Sequence, residues 1–167
     1  MSVGDVNSSE RGSGARYNDG KPDLSLIPLT VIVASFDDGR PAAHEDVLSS
    51  LNLLGLFQVT GNGDYLREAL QEVRFDWRSC ARVFEYGKKK YAAWNWAKGM
   101  AWSIPLACAA RHALAILEGE ETDPESGLTH IGHYLANLVM LRTFVETFPQ
   151  GNDLPPPAFF QPPESPQ

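Results

Sequence analysis

The chain has 167 residues, 43% of them hydrophobic, with 14 Lys and Arg against 21 Asp and Glu for a net charge of −7. That length and composition suit one domain with its own core and exclude wholesale disorder. The negative charge argues against a partner that is a nucleic-acid polymer. No apolar run reaches the ~18 residues needed to cross a bilayer, and Met1 to Glu10 lack the basic and apolar regions of a secretory signal. Cys80 and Cys108 form no Cys-x-x-Cys pair, so neither a disulfide framework nor a zinc ribbon is expected. The expectation is a protein of the cytoplasm with no membrane partner.

Residues 1–22 are rich in Gly, Ser, Asn and Asp without an apolar period, which predicts an extended arm. Leu24 to Val33 is apolar and reads as a strand by its β-branched residues or as a short helix after Pro28; the helix is preferred. Asp37 to Pro41 reads as a turn. A helical period covers residues 43–58. Gly61-Asn-Gly63 breaks the chain, and Asp64 caps one long predicted helix to about Tyr86, with Leu66, Ala69, Leu70, Val73, Trp77, Cys80, Ala81 and Phe84 as its buried stripe. Gly87 stops that helix or is tolerated within it.

Lys88 to Gly99 has no clean period and reads as a helix end followed by an ordered loop. Ser103 caps a further helix to about Glu118, with Pro105 near its start. Thr122 to Gly127 is a loop. A last helix from Thr129 to about Phe148, apolar on nearly every side, has the pattern of a central helix and ends at Pro149. The expected fold is all-α: a bundle of four to five helices over residues 23–149, an extended arm at 1–22, and a disordered Pro-rich tail at 150–167.

Three constellations could carry chemistry. His130, His133 and Asn137 stand at i, i+3 and i+7 and share a face of the last helix. Burying them requires partners, either a cation or a hydrogen-bonded network. His112 and Glu120 share a face of the preceding helix, and Asp123 follows in the loop, so Glu120 and Asp123 are expected beside His130. Third, Tyr86, Tyr91, Trp94 and Trp96 lie among Lys88, Lys89, Lys90 and Asn95. Rings for a base and ammonium groups for phosphates suit a nucleotide, although core tryptophans with solvated lysines would give the same string. Two tryptophans one residue apart do not both face the core of a regular helix, which favours a shaped loop. From Arg74 to Arg111 eight bases face two acids, and an acidic cluster from Glu118 to Glu125 follows. A chelated polyphosphate needs such a pairing; so does an ordinary solvated surface. No phosphate loop, dinucleotide fingerprint or nucleophile elbow occurs.

Taken in order, Ala15-Arg-Tyr-Asn-Asp-Gly-Lys-Pro-Asp-Leu-Ser-Leu-Ile-Pro28, Val83-Phe-Glu-Tyr-Gly-Lys-Lys-Lys-Tyr91 with Asn95-Trp96, Arg111-His112, Gly119-Glu120, Asp123-Pro-Glu-Ser-Gly127 and His130-x-x-His133-x-x-x-Asn137 resemble a family of phage and prophage proteins. That family is named for the N-terminal domain of dATP/dGTP diphosphohydrolases. The resemblance runs from Ala15 to about Leu141, with a variable stretch between Phe36 and Trp77. It implies a phage-encoded protein of the host cytoplasm that handles purine nucleotides, distantly related to the all-α MazG-like nucleotide pyrophosphohydrolases and, like them, expected to be a homo-oligomer. MazG-like enzymes hold magnesium with Glu-Glu-x-x-Glu and Glu-x-x-Asp motifs; here imidazoles stand for most of those carboxylates, a donor set suited to softer metals.

The resemblance implies cleavage of dATP or dGTP to a monophosphate and pyrophosphate with a divalent ion, Mg or Mn. Glu120, Asp123 and His130 would hold the metal, and His112, His133 and Asn137 would serve catalysis. Lys89, Lys90 and Arg111 would meet phosphates, with Arg16 and Lys21 of the arm closing over the site. Tyr17, Asn18, Asp19, Glu85, Tyr91, Asn95 and Trp96 complete the substrate set. Two alternatives stand beside this reading. One is a non-catalytic protein that sequesters a nucleotide or a nucleotide-derived immune signal; the other is a helical adaptor whose polar stripe is structural.

Overall fold

A computed structural model describes residues 2–36, 44–74 and 76–162. It is all-α, with helices α1 Leu29–Ala34, α2 Glu45–Thr60, α3 Asp64–Glu72, α4 Trp77–Lys90, α5 Ser103–Leu117 and α6 His130–Thr147. The antiparallel pair β1 Ser2–Val3 and β2 Arg16–Tyr17 folds the arm back on itself. The turn expected at Asp37 to Pro41 and the first residue of the helix expected at 43 lie outside the described residues. No helix among those described is long and apolar enough to cross a membrane.

Helix α6 is the axis of the bundle and packs against α5, α4 and α3. Its caps explain where it starts and stops. The Thr129 hydroxyl accepts the Gly132 amide at 3.3 Å, satisfying one of the orphan donors of the first turn, and Pro149 opens a 3-10 turn beyond the last residue. Tyr134, Leu135, Ala136, Leu138, Leu141 and Phe144 are fully buried, each large aliphatic or aromatic side chain worth roughly 1.5–3 kcal/mol. The apolar pattern on all sides is thus the pattern of a helix with neighbours on all sides. Leu24 to Val33 forms a 3-10 turn and α1, not a strand. Gln58 of α2 secures it, accepting the Leu29 amide at 2.9 Å and donating to the Ser25 and Ile27 carbonyls at 3.0 Å each.

The single helix expected from Asp64 to Tyr86 is two. The chain breaks after Val73, and Asp76 caps α4 by accepting the Arg78 and Ser79 amides at 3.1 Å and the Ser79 hydroxyl at 2.6 Å. A strong cap outcompetes helix continuation because an Asp side chain satisfies donors that a continuous helix would close through its backbone. The break turns Trp77 outward, 73% exposed, and leaves Ala81 exposed, so these two leave the expected stripe. Gly87 is tolerated, and α4 continues to Lys90. Asp76→Ala should cost about 1 kcal/mol. The Ser79 hydroxyl and amide hold the Asp76 carboxyl below its ordinary 3.8. The cap's contribution is therefore complete above that value and is lost as pH falls through the lowered one. Urea unfolding should separate variant from wild type at neutral pH and bring them together in strong acid.

Ser103 is not the cap expected of it. It is the first residue of α5, and Asp153 of the tail supplies the carboxylate, accepting the Ser103 amide at 2.8 Å and its hydroxyl at 2.5 Å. The Trp102 amide donates to the Gly151 carbonyl at 2.9 Å, and its indole donates to the Phe148 carbonyl at 3.1 Å. The opening of the Pro-rich tail is thereby tied to the bundle, with Leu154 against the core and a 3-10 turn at Pro157–Phe160 beside α2.

Candidate functional site

The arm lies along the bundle and walls a cleft. The Gly12 and Gly14 amides donate to the Lys98 and Gly99 carbonyls at 2.8 and 2.9 Å. Arg11 donates to the Ala97 and Thr147 carbonyls, with its guanidinium 5.6 Å from the Phe148 ring centre. A side chain at Gly14 would stand 2.6 Å from the Gly99 carbonyl oxygen, so only glycine permits this approach. Asn95, buried, exchanges two hydrogen bonds with the backbone of Ala15. Arg111 donates to the Pro22 carbonyl at 2.7 Å and to Asn18 Oδ1 at 3.3 Å.

Between the arm, α4, the loop after it, α5 and α6 lies a cavity of about 680 Å³, within the range of small-molecule sites. Of the residues selected from sequence, Arg16, Tyr17, Asn18, Lys21, Glu85, Lys90, Tyr91, Asn95, Trp96, His112, Asp123 and His133 line it. Asp19, Lys89, Arg111, Glu120, His130 and Asn137 do not.

One part of the lining is aromatic. Trp96 packs between Phe84, at 5.2 Å between ring centres, and Phe144, at 6.4 Å. Trp94 sits 6.1 Å from Trp96 but is 73% exposed. The two tryptophans do not both face the core: Trp96 is partly buried and Trp94 is exposed, and the loop at Trp94 adopts φ 61°, a left-handed conformation that a bulky residue rarely takes.

A second part of the lining is ionic. Lys21 and Lys90 each hold one oxygen of Glu125, at 2.6 and 3.0 Å, and Lys90 lies 5.8 Å from the ring centres of Tyr17, Tyr86 and Tyr91. These two ammonium groups hold the Glu125 carboxyl below its usual range.

The polar stripe of α6 meets three kinds of partner. Asn137 donates to the His133 carbonyl at 2.7 Å and accepts from Arg16 Nη2 at 2.9 Å. The same guanidinium lies 3.0 Å from Cys108 Sγ. Burial pushes the Cys108 thiol up, but Arg16 and His112 more than offset it and hold the group well below the ordinary thiol value.

His133 meets Ser126 Oγ at 2.7 Å, and the Ser126 hydroxyl and amide reach Asp123 Oδ2 at 2.7 and 2.9 Å. Asp123 is held below its ordinary value, since the Ser126 hydrogen bonds and the nearby imidazoles outweigh its burial. As an ionised acceptor it must take the hydroxyl proton. Ser126 then accepts from His133 Nε2–H, leaving the free lone pair of His133 on Nδ1. Burial, with His112 stacked on it at 4.4 Å between ring centres, lowers His133 to about 4, so it is neutral at neutral pH. The trio is not a nucleophile relay, because Asp123 and Ser126 meet the same side of the imidazole.

His130 completes the group. Its Nδ1 is 2.8 Å from His112 Nδ1, and its Nε2 is buried without a hydrogen bond, 3.5 Å from Glu120 Oε2. Glu120 is 60% exposed on its side chain. Among the described residues the donors that converge within 4.8 Å are His112, Asp123 and His130. The expected metal set is therefore altered at one position, with His112 inside it and Glu120 behind His130. Two imidazoles and a carboxylate fit a divalent transition ion; they lack the oxygen shell that magnesium requires. Cys108, Glu125 and Ser126 are the site residues that sequence reasoning did not select. For Ser126 the signal was the Asp-x-x-Ser spacing of a side-chain turn; for Cys108 the sequence held none.

The fold and the cleft define an all-α domain with a cavity of small-molecule size, lined by aromatic, cationic and imidazole side chains. The family model described as dATP/dGTP diphosphohydrolase, N-terminal, matches residues 75–154, which span α4 to the first residues of the tail. Over that segment, 80 of the 167 residues, the chain is similar to this family. No curated protein and no solved structure matches the chain.

Proposed function

We propose that the chain binds a purine deoxynucleoside triphosphate in this cleft and cleaves the anhydride between its α- and β-phosphates. The products are a monophosphate and pyrophosphate, with the elements of one water divided between them. The single observation that carries the reading is the lining of one cavity: Trp94 and Trp96, Lys21 and Lys90, and the imidazole–carboxylate group of His112, Asp123 and His133 all border it. Stacking a base on an aromatic platform contributes roughly 1–3 kcal/mol. Charge-assisted bonds from two lysines would orient the phosphates when they displace Glu125. His133, neutral and with its lone pair on Nδ1, can accept a proton from attacking water. Arg16 sets the distance between arm and α6, so the arm excludes solvent from the reacting phosphate. A divalent ion held by His112, Asp123 and His130 would neutralise charge on the phosphates and on the water it polarises.

The test is incubation of the pure chain with dGTP and dATP plus manganese, with monophosphate read by chromatography. Formation of dGMP or dAMP, lost in His133→Ala, is the expected result; the absence of monophosphate in wild type overturns hydrolysis. Trp94→Gly separates binding from folding. Removing a strained left-handed tryptophan should leave thermal stability unchanged or raised, while nucleotide affinity falls about tenfold, the stacking share.

A further inference from the structure

We infer that the chain holds one six-coordinate first-row transition ion on His112 Nδ1, His130 Nδ1 and Asp123, and that Glu120 supports it from behind His130. The inference deepens the reading above by naming the metal class, and it rests on geometry that stands without any hydrolysis. The two Nδ1 atoms are 2.8 Å apart, closer than two lone pairs tolerate unless a proton or a cation lies between them. Only one of the two rings can place its proton there, so the pair is an acceptor facing a donor that a metal can replace.

Metal–imidazole bonds of roughly 2.1 Å to nitrogens at this separation subtend about 84° at the ion, close to adjacent octahedral vertices and far from the tetrahedral angle of structural zinc. Asp123 supplies the third donor. Its Oδ2 is occupied by Ser126, and its Oδ1 takes no hydrogen bond among the described residues. Two histidines and one carboxylate on one face are the arrangement of octahedral manganese, iron or cobalt sites with positions open to exogenous oxygen ligands. Asp123 and His112 line the cavity, so an ion they held would border it.

The second observation is independent of the cluster. His130 is 4% exposed, and its Nε2 has no hydrogen-bond partner. A buried polar atom of this kind is disfavoured. With Nδ1 on a metal, the proton must reside on Nε2, which lies 3.5 Å from the Glu120 carboxylate. A carboxylate behind a ligating histidine is the usual supporting arrangement at such sites, so the ion explains both the orphaned nitrogen and the place of Glu120.

The experiment is equilibrium dialysis of the EDTA-stripped full chain against Mn2+ or, separately, Mg2+, with bound metal counted by atomic emission and free Mn2+ read by electron paramagnetic resonance. One Mn2+ per chain is expected, without comparable Mg2+. Affinity should fall at least about a hundredfold in His112→Gln and Asp123→Asn, and about tenfold in Glu120→Gln, with helical circular dichroism retained. No Mn2+ on wild type, equal retention of Mg2+, or binding unchanged in both His112→Gln and Asp123→Asn overturns the site. Calorimetric titration of the metal-free chain with dGMP distinguishes the two readings. Nucleotide binding without Mn2+ binding removes the metal alone, and Mn2+ binding without monophosphate formation from dGTP removes hydrolysis alone.

Discussion

Arg16→Ala should destabilise the protein by about 3 kcal/mol and release the arm from the bundle. Removing one partner of a largely desolvated charged group costs on this scale because the groups left behind cannot recover water. Asn137 is completely buried and would lose the donor to its Oδ1, and Cys108 would lose the cation that favours its thiolate. Denaturant unfolding reads the first effect. Hydrogen exchange at the Gly12 and Gly14 amides, which are bonded to Lys98 and Gly99, reads the second. Nucleotide affinity should fall with arm docking, since the arm supplies Tyr17, Asn18 and Lys21 to the cleft. Arg16→Lys keeps the charge but loses the planar fork that meets Asn137 and Cys108 together, so an intermediate loss is expected. Unchanged exchange in Arg16→Ala would show that Asn95 and Arg111 hold the arm without it.

Gly132→Ala should be as damaging from the opposite cause. A Cβ there would stand 2.7 Å from the Ser79 carbonyl oxygen and 3.0 Å from its carbon. The obstacle is backbone, which cannot rotate aside as a side chain would, so α4 and α6 must separate. Overpacking at such a contact costs about 1–3 kcal/mol. At the upper end that lowers the melting temperature by roughly 5–10 °C for a domain of this size. Because α4 carries Lys90 and α6 carries His133, the same separation should weaken nucleotide binding without touching a binding residue. Thermal unfolding with parallel nucleotide titration measures both. A melting point within a degree of wild type would mean that the helices give way at no cost.

The exposure of Trp94 and the partial burial of Trp96 illustrate how far local pattern reaches. Their spacing favoured a shaped loop, and the chain leaves α4 at Lys90 for turns and a short 3-10 segment at Asn95–Lys98. The Asp64 to Tyr86 stretch shows the opposite case: its apolar period continues through Val73 and Trp77, and Asp76 interrupts it by capping. The resemblance of the ordered motifs to the dATP/dGTP diphosphohydrolase family was legible, and the family match over residues 75–154 shows it. The Ala15 to Pro28 motif lies outside that match; its contacts with Asn95, Arg111 and Asn137 indicate that its regular residues serve docking as well as the cleft.

What the sequence determined by itself was the all-α class, the central character of the last helix, the shared face of His130, His133 and Asn137, and the aromatic–lysine segment. Each rests on periodicity or on spacing within one element, where the geometry of a helix fixes which side chains share a face. What only the tertiary structure decided was who meets whom across elements. His112 rather than Glu120 stands with Asp123 and His130. Asn137 is taken by Arg16 of an arm 121 residues away, and Asp153 of the tail caps α5. These pairings depend on interhelix depth, rotation and the path of irregular chain, which are set by packing the whole core and leave no periodic trace in the residues that make them.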